Sequence, residues 1–292
     1  MKFTRLQAIS GLFAEFQTKK QDKDSLLSMV DDVEIAERVY NSNAIENSTL
    51  TLPETEKILL QLEVSRHVSL REVFEAKNLA QVESFIKNTA SQNPLSIDVI
   101  LLLHKMLLTN IRDEVAGRFR TGNEMVQVGN HIGIPPEFIN QRIQEMIVKY
   151  NSDMELSFIH KIGRFHAEFE SIHPFIDGNG RIGRVLNNYL LIREGFPPII
   201  VRNKEKETYY NALVAYDNLH NEKPMIRVVD LAILESLHKR LAYLDGLQIV
   251  PLTEYAQTQK RSFQSLLNSS RRQTIPAFRE KGVWKIGIKK HV

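Results

Sequence analysis

Two apolar stripes of helical period, set either side of a segment that cannot be helical, constrain this chain more than any other feature. Ile159, Ile162, Phe165, Phe169 and Ile172 recur at steps of three and four, which lines them along one face of a helix. Pro174 disfavours helical geometry at His173, so the chain must turn there. The pattern resumes after Gly180, with Val185, Leu186, Tyr189 and Leu190 on the apolar face.

The remaining pattern is mainly helical. Asp31 to Tyr40 reads as a helix, with Ser42 to Glu46 as a short continuation or separate turn. Thr51-Leu52-Pro53-Glu54 is a capping box with proline in the first turn, launching an apolar run through Ile58, Leu59 and Leu62. Ile97, Ile100, Leu101 and Leu108 mark a further helix. Between Gly117 and Ile134, short alternation and Gly/Asn turn signals predict a small hairpin, closed by Pro135-Pro136 before a helix from Glu137. The expected fold class is all-α with one small hairpin. No internal repeat or low-complexity segment stands out.

With 292 residues, 42% apolar and 25% charged, the chain can bury a real core, and length favours one main domain with smaller attachments. No apolar run approaches the length of a membrane span, and no signal-peptide pattern opens the chain, so neither a membrane nor export is expected. Cysteine is absent, which excludes disulfides and thiolate metal sites and fits a cytoplasmic location. The net charge of +3 is unevenly placed: from Pro251 onward nine basic residues face only Glu254 and Glu280. A basic tail after a plausible boundary at Gly246 suggests contact with nucleic acid or an acidic partner.

The segment richest in chemistry is His173-Pro174-Phe175-Ile176-Asp177-Gly178-Asn179-Gly180-Arg181-Ile182-Gly183-Arg184. It is a loop entering a helix, and a helix N-terminus with exposed amides is an anion site. Arg181 and Arg184, three apart, can share a face beside those amides and suit bidentate phosphate contact. Asp177 is placed to hold Mg²⁺, which typically takes one carboxylate, waters and substrate phosphates. His173 can take a proton from an incoming hydroxyl. These are the parts of phosphoryl-type transfer. Neither a Walker loop nor a dinucleotide fingerprint fits the spacing. His160, His166 and His173 do not share a helical face at metal-ligand spacing and His104 is remote, so no zinc site is expected, and His160 and His166 read as helix or core residues.

The segment closely resembles the Fic family motif His-x-Phe-x-(Asp/Glu)-Gly-Asn-Gly-Arg-x-x-Arg, matching every fixed position. The resemblance runs from about Ile35 to Leu241 and implies a compact helical core with a hairpin flap. It also implies transfer of AMP from ATP to a Ser, Thr or Tyr hydroxyl of another protein. By position, His173 would be the base and Asp177 the Mg²⁺ ligand. Gly178, Asn179, Gly180 and Arg181 would hold the α- and β-phosphates, and Arg184 the γ-phosphate. Asn188 matches a family position near the phosphates, and Tyr209 and Tyr210 match the pair beside adenine. Asp217-Asn218 departs from the asparagine common in relatives. The hairpin from Gly117 to Ile134 resembles the flap that binds a target segment through main-chain hydrogen bonds, with Val128, Gly129, Asn130 and His131 near the nucleotide.

Ser42-Asn43-Ala44-Ile45-Glu46-Asn47 resembles the inhibitory motif (Ser/Thr)-x-x-x-Glu-(Gly/Asn) of one class of these proteins. The resemblance implies that Glu46 pairs with Arg184 and occupies the cation that the γ-phosphate needs. Such relatives can also remove AMP, and homodimer formation is expected from them. The segments 252–256, 269–279 and 282–286 read as helix, helix and two-stranded wing, similar to excisionase-type winged helix-turn-helix modules that contact DNA. The expected organisation is an N-terminal helical region over 1–90, a core over 91–245 and a basic module over 246–292. Two other readings stay open: kinase-like phosphate transfer, against which the intact Gly-Asn-Gly-Arg argues, and a DNA-binding regulator whose core senses nucleotide without turnover.

Overall fold

The computed structural model describes residues 4–64, 67–129 and 131–289. In chain order the helices α1 (Arg5–Lys19), α2 (Asp24–Ile45), α3 (Leu52–Leu59), α4 (Leu70–Thr89) and α5 (Ile97–Leu108) come first. The strands β1 (Gln127–Val128) and β2 (His131–Ile132) follow, then α6 (Ile139–Ser152), α7 (Phe158–Ile172), α8 (Asn179–Arg193), α9 (Lys206–Leu219) and α10 (Lys223–Leu244). The chain continues with β3 (Gln248–Pro251), α11 (Leu252–Thr258), α12 (Phe263–Arg271), β4 (Ala277–Glu280) and β5 (Val283–Ile288). Among the described residues no helix is long and apolar enough to cross a membrane.

Two compact units divide the chain, and the boundary between them falls inside both α2 and α10. The larger unit comprises residues 35–196 and 200–229. Its centre is α8, buried from Asn179 to Leu191 almost without interruption because α4, α5 and α7 all pack on it. α7 carries the apolar stripe read from the sequence, with Ile159, Ile162, Phe165, Phe169 and Ile172 buried. The capping box forms at the start of α3: the Thr51 hydroxyl accepts from the Glu54 amide, and the Glu54 carboxylate accepts from the Thr51 amide.

Several expectations need correction. Of the two readings for the segment from Ser42, continuation holds as far as Ile45, the last residue of α2, but that helix begins at Asp24 and not at Asp31. α3 ends at Leu59, before Leu62, because Gln61 adopts φ 59° and lets the Gln61 and Leu62 amides close on the Ile58 and Lys57 carbonyls. Leu60 and Leu62 are exposed in consequence. A 3-10 turn over Pro136–Phe138 precedes α6, where a helix from Glu137 is expected. Pairing in the hairpin is limited to Gln127 with Ile132 and Val128 with His131. From Gly117 to Val126 the backbone is instead tied by side chains: Glu124 accepts from Arg118 and from the Thr121 amide, each at 2.8 Å.

The smaller unit comprises residues up to Glu34, 197–199 and from Asp230 onward. Its sheet has the order β3-β5-β4, all antiparallel, over a small core of Val250, Leu252, Ala256, Leu266 and Ile286. The second helix lies earlier than read from the sequence. Ser262 caps α12, which ends at Arg271 where Gln273 turns left-handed, and residues 277–280 are strand. Arg279, counted in the basic tail, is buried against Glu235 and stacked over Trp284 at 4.5 Å.

Arg240 is the most committed charge in this unit. Its guanidinium, 1% exposed, pairs with Asp31 and, at 2.7 Å, with Glu34. Replacing it by methionine strips both carboxylates of that cation, so Arg240→Met is expected to lose about 3 kcal/mol of stability. Urea unfolding of the two proteins side by side measures this.

Candidate active site

The loop between α7 and α8 is assembled by donors from elsewhere in the unit. Five consecutive carbonyls, Ser171 to Phe175, are all engaged: they accept from the His131 ring, the Ile134 amide, Arg120 Nε, the Arg120 amide and Asn179 Nδ2. Arg120 also donates to the carbonyls of Glu124 and Ile134, at 2.9 and 2.8 Å. Asn179 grips Phe175 twice, accepting from its amide and donating to its carbonyl, both at 2.8 Å. Its side chain therefore faces the loop, so only its backbone amide is left for an anion. Phe175 is fully buried and stacks on His104 at 3.7 Å. His104 Nδ1 accepts from the Gly117 amide, which fixes the proton on Nε2, and Nε2 donates to the Asp177 carbonyl at 3.0 Å. Burial pushes His104 down to about 4, so it serves here as a neutral strut.

With its carbonyls taken up inside the protein, the loop opens onto the N-terminus of α8. Gly178, at φ 85°, ends the loop, and no side chain caps the helix. The first amides of α8 thus stay available, which makes an anion-binding mouth. His173 stands beside it in the left-handed region, φ 52°. Its Nδ1 donates to the Glu170 carbonyl at 3.3 Å, leaving the Nε2 lone pair free. Burial, with Arg120 and His131 nearby, lowers His173 to about 4, so the imidazole is neutral at physiological pH.

Arg184, one turn into α8, is 7% exposed. Nε donates to the Ser42 hydroxyl at 3.0 Å, and Nη2 donates to the Ser42 carbonyl at 2.9 Å and to Glu46 Oε1 at 2.8 Å. Nη1 is buried with no partner. Burial opposes this charge, but Glu46 holds it on, and the Arg184 pKa is raised. The Glu46 carboxylate lies directly over Gly180: a Cβ there would collide with Oε1 and come within 3.1 Å of Arg184 Nη1. A carboxylate therefore rests beside the opening turn of α8.

α2 presents Glu46 from a buried face that is largely polar. Arg38 pairs with Glu83 at 2.9 Å, Glu37 with Arg202, and Asn41 Oδ1 accepts from the Asn203 amide at 3.0 Å. Past the helix end, Tyr210 donates to the Ile45 carbonyl at 3.2 Å, and Lys206 donates to Asn47 at 2.8 Å.

Asp177 accepts from Arg71 on one oxygen and from Arg181 on the other, both at 2.9 Å. Burial raises its pKa, but Arg181 and Arg71 outweigh that and hold the carboxyl below its usual range. Arg181 also reaches Glu75 at 3.2 Å, and its Nε is buried without a partner. Among the described residues no group of three or more His, Asp and Glu is gathered as a metal site.

Beneath Arg184 lies a buried layer in which the sequence reading placed Tyr209 beside adenine and His166 in a helix or the core, and missed Glu170. Tyr209, fully buried, lies under the guanidinium at 5.8 Å and shares a 2.7 Å hydrogen bond with His166. Glu170 packs where Gly183 lacks a Cβ. Burial raises the Glu170 carboxyl to about 8 and lowers His166 to about 3, so both are neutral at pH 7. The only signal for Glu170 was its place next to Phe169 of the predicted buried stripe. Of the other candidates, Asn188 is buried on α8, and Val128 and Gly129 are exposed in the hairpin. His131 lies 6.1 Å from the His173 ring, while Asn130 falls outside the described residues.

Fold and site together define a class: a helical domain that sets a neutral imidazole and two buried arginines around an uncapped helix N-terminus. Residues 94–191 match the Fic/DOC family, and the chain carries a Fic domain. It is 33% identical over 196 residues, 65% of its length, to Protein adenylyltransferase fic-1 of Caenorhabditis elegans. It is 32% identical over 225 residues, 74% of its length, to Protein adenylyltransferase Fic of Nematostella vectensis. These alignments cover 38% and 50% of those proteins, so the chain spans half their length or less. A solved Fic domain containing signaling protein from Bacteroides thetaiotaomicron superimposes with a TM-score of 0.72 at 26% identity, over 82% of this chain and 98% of that one.

Two outcomes follow from this packing. Asn179→Ala strands the Phe175 amide and carbonyl and should cost about 2 kcal/mol, read from chemical denaturation. Glu170 keeps its proton in the folded protein up to about pH 8 but loses it near 4.5 when unfolded. Between those values the folded state binds more protons, so Glu170 lowers stability as pH rises, and below 4.5 its contribution is flat. Glu170→Gln should therefore lose less stability than the parent between pH 5 and 8, measured by denaturant titration at each pH.

Proposed function

We propose that this chain is a protein adenylyltransferase that moves AMP from ATP to a Ser, Thr or Tyr hydroxyl of a target protein and is held off by Glu46. The observation that carries the reading is the mouth of α8: free amides, the unpartnered Nη1 of Arg184 and a neutral His173 beside them. Buried donors without acceptors call for a ligand rich in oxygen, and a triphosphate meets that need. The named relatives support the same activity.

In the reaction, His173 Nε2 takes the proton of the target hydroxyl as its oxygen attacks the α-phosphorus. The new P–O bond forms on the target, the bond to the β-phosphate breaks, and pyrophosphate leaves. The amides of Gly178, Asn179 and Gly180, with Arg181, hold the α- and β-phosphates, and Arg184 binds the γ-phosphate. Asn188, Tyr209, Tyr210 and the hairpin residues Val128 to His131 complete the nucleotide site. Asp177 is ionised and each oxygen keeps a lone pair beyond its arginine bond, which fits one carboxylate of a Mg²⁺ site. When bound, that ion neutralises phosphate charge. The hairpin edge takes the target segment as an added strand.

Glu46 works by occupying the cation and the space over Gly180 that the γ-phosphate needs. A hundredfold suppression corresponds to only about 2.7 kcal/mol of differential binding. The same glutamate would orient water in a reverse reaction that removes AMP. A second reading concerns the segment 246–292: two helices followed by the β4–β5 pair support a winged helix-turn-helix, with exposed Lys260, Arg261, Arg271 and Arg272 as DNA contacts. The domain division given above, a homodimer and a cytoplasmic location belong to the same proposal.

Incubation with α-labelled ATP should label protein weakly with the parent, at least tenfold more with Glu46→Gly, and not at all once His173→Ala is added. Label from the γ-position instead would support kinase-like transfer. Equal, negligible labelling in parent and Glu46→Gly would favour the DNA-binding regulator.

A further inference from the structure

His131 on β2 is bonded through both ring nitrogens. Nε2 meets the Ser171 carbonyl at 3.0 Å and Nδ1 meets Asp217 Oδ2 at 3.0 Å. A carbonyl and a carboxylate only accept, so both nitrogens must donate, and the ring is an imidazolium. It ties the hairpin to the last turn of α7 and to α9, and its centroid is 6.1 Å from that of His173. An ionised carboxylate at Asp217 holds a proton on the ring beside it, which an amide in its place would not do.

We propose that His131 is a positioning residue: clamped between Asp217 and the end of α7, it fixes the hairpin that receives the target and keeps a positive charge beside His173. The inference rests on the adenylyltransferase reading and adds to it a means of protecting the base. The charges facing the His173 ring are Glu46, Arg120, His131 and Asp217, with the neutral Glu170 beneath. Those facing His131 are Asp217 from α9, Glu170 from α7 and His173 itself. Triphosphate binding brings several negative charges to this mouth and draws a proton onto His173, where it blocks base catalysis. The His131 cation opposes that. The pair with Asp217 raises the His131 pKa and lowers that of Asp217, so the clamp holds between those two values, loosening as pH rises through the first or falls through the second.

The test uses the full chain with Glu46→Gly as parent. Ring-proton NMR titration of the histidines, with and without a non-hydrolysable ATP analogue, needs no turnover. In His131→Gln the His173 midpoint should rise by about one pH unit, the shift expected for losing a unit charge at this distance. In labelling assays the acidic limb of kcat should move up by the same amount, and KM for the target protein should rise severalfold. Asp217→Asn, nearly isosteric, should lower the midpoint of His131 itself. An unchanged His173 midpoint in His131→Gln, or an unchanged His131 midpoint in Asp217→Asn, overturns the inference. An inactive parent with the expected midpoints would instead count against adenylyl transfer and leave the charge pairing standing.

Discussion

A guanidinium buried at Arg184 needs an anion, and the architecture of the larger unit is organised around supplying one. The side chain is shut in by α2 and Tyr209, and one of its nitrogens finds no partner at all. Leaving such a charge unpaired costs several kcal/mol, so the site always favours having something negative in it. Glu46 fills that role from a helix whose inner face is bonded through Glu37, Arg38, Asn41 and Ser42. Polar contacts of this kind can be exchanged for others at modest net cost, because both states satisfy their donors. A competing phosphate therefore has to beat one carboxylate and not a whole hydrophobic interface.

The chemistry at His173 depends on rigidity made by side chains and not by regular structure. A loop entering a helix would ordinarily satisfy its carbonyls with water. Here Arg120, His131, Ile134 and Asn179 take that place, so the amide ends of the same peptides are left for a ligand. The neutral imidazole, the ionised Asp177 and the protonated Glu170 are three outcomes of one gradient in burial and charge. Arginines decide the state of Asp177, whereas desolvation decides the other two.

The helices α7 and α8, the turn between them and the motif from His173 to Arg184 were legible because period and punctuation are local. The Ser42–Asn47 pattern was legible only through its resemblance. What escaped was long-range: His104 reaches Asp177 across 73 positions and Arg120 reaches His173 across 53. A buried histidine and a buried arginine look like ordinary surface residues until the fold brings acceptors to them. The hairpin was read too long because Arg118 and Glu124 replace a ladder that alternation suggests. The second tail helix was read too late because the Ser262 cap, which starts it, was not used as a start signal.

Gly180 couples the two anions that the proposed function brings to the mouth of α8. With no side chain at that position, the opening turn of α8 admits the Glu46 carboxylate at close range, and any larger residue would push it away. In the proposed function the γ-phosphate uses the same space, which would keep inhibition and turnover from drifting apart through changes at that position. A descendant that shed its restraint would have to do so on α2 and leave the glycine untouched.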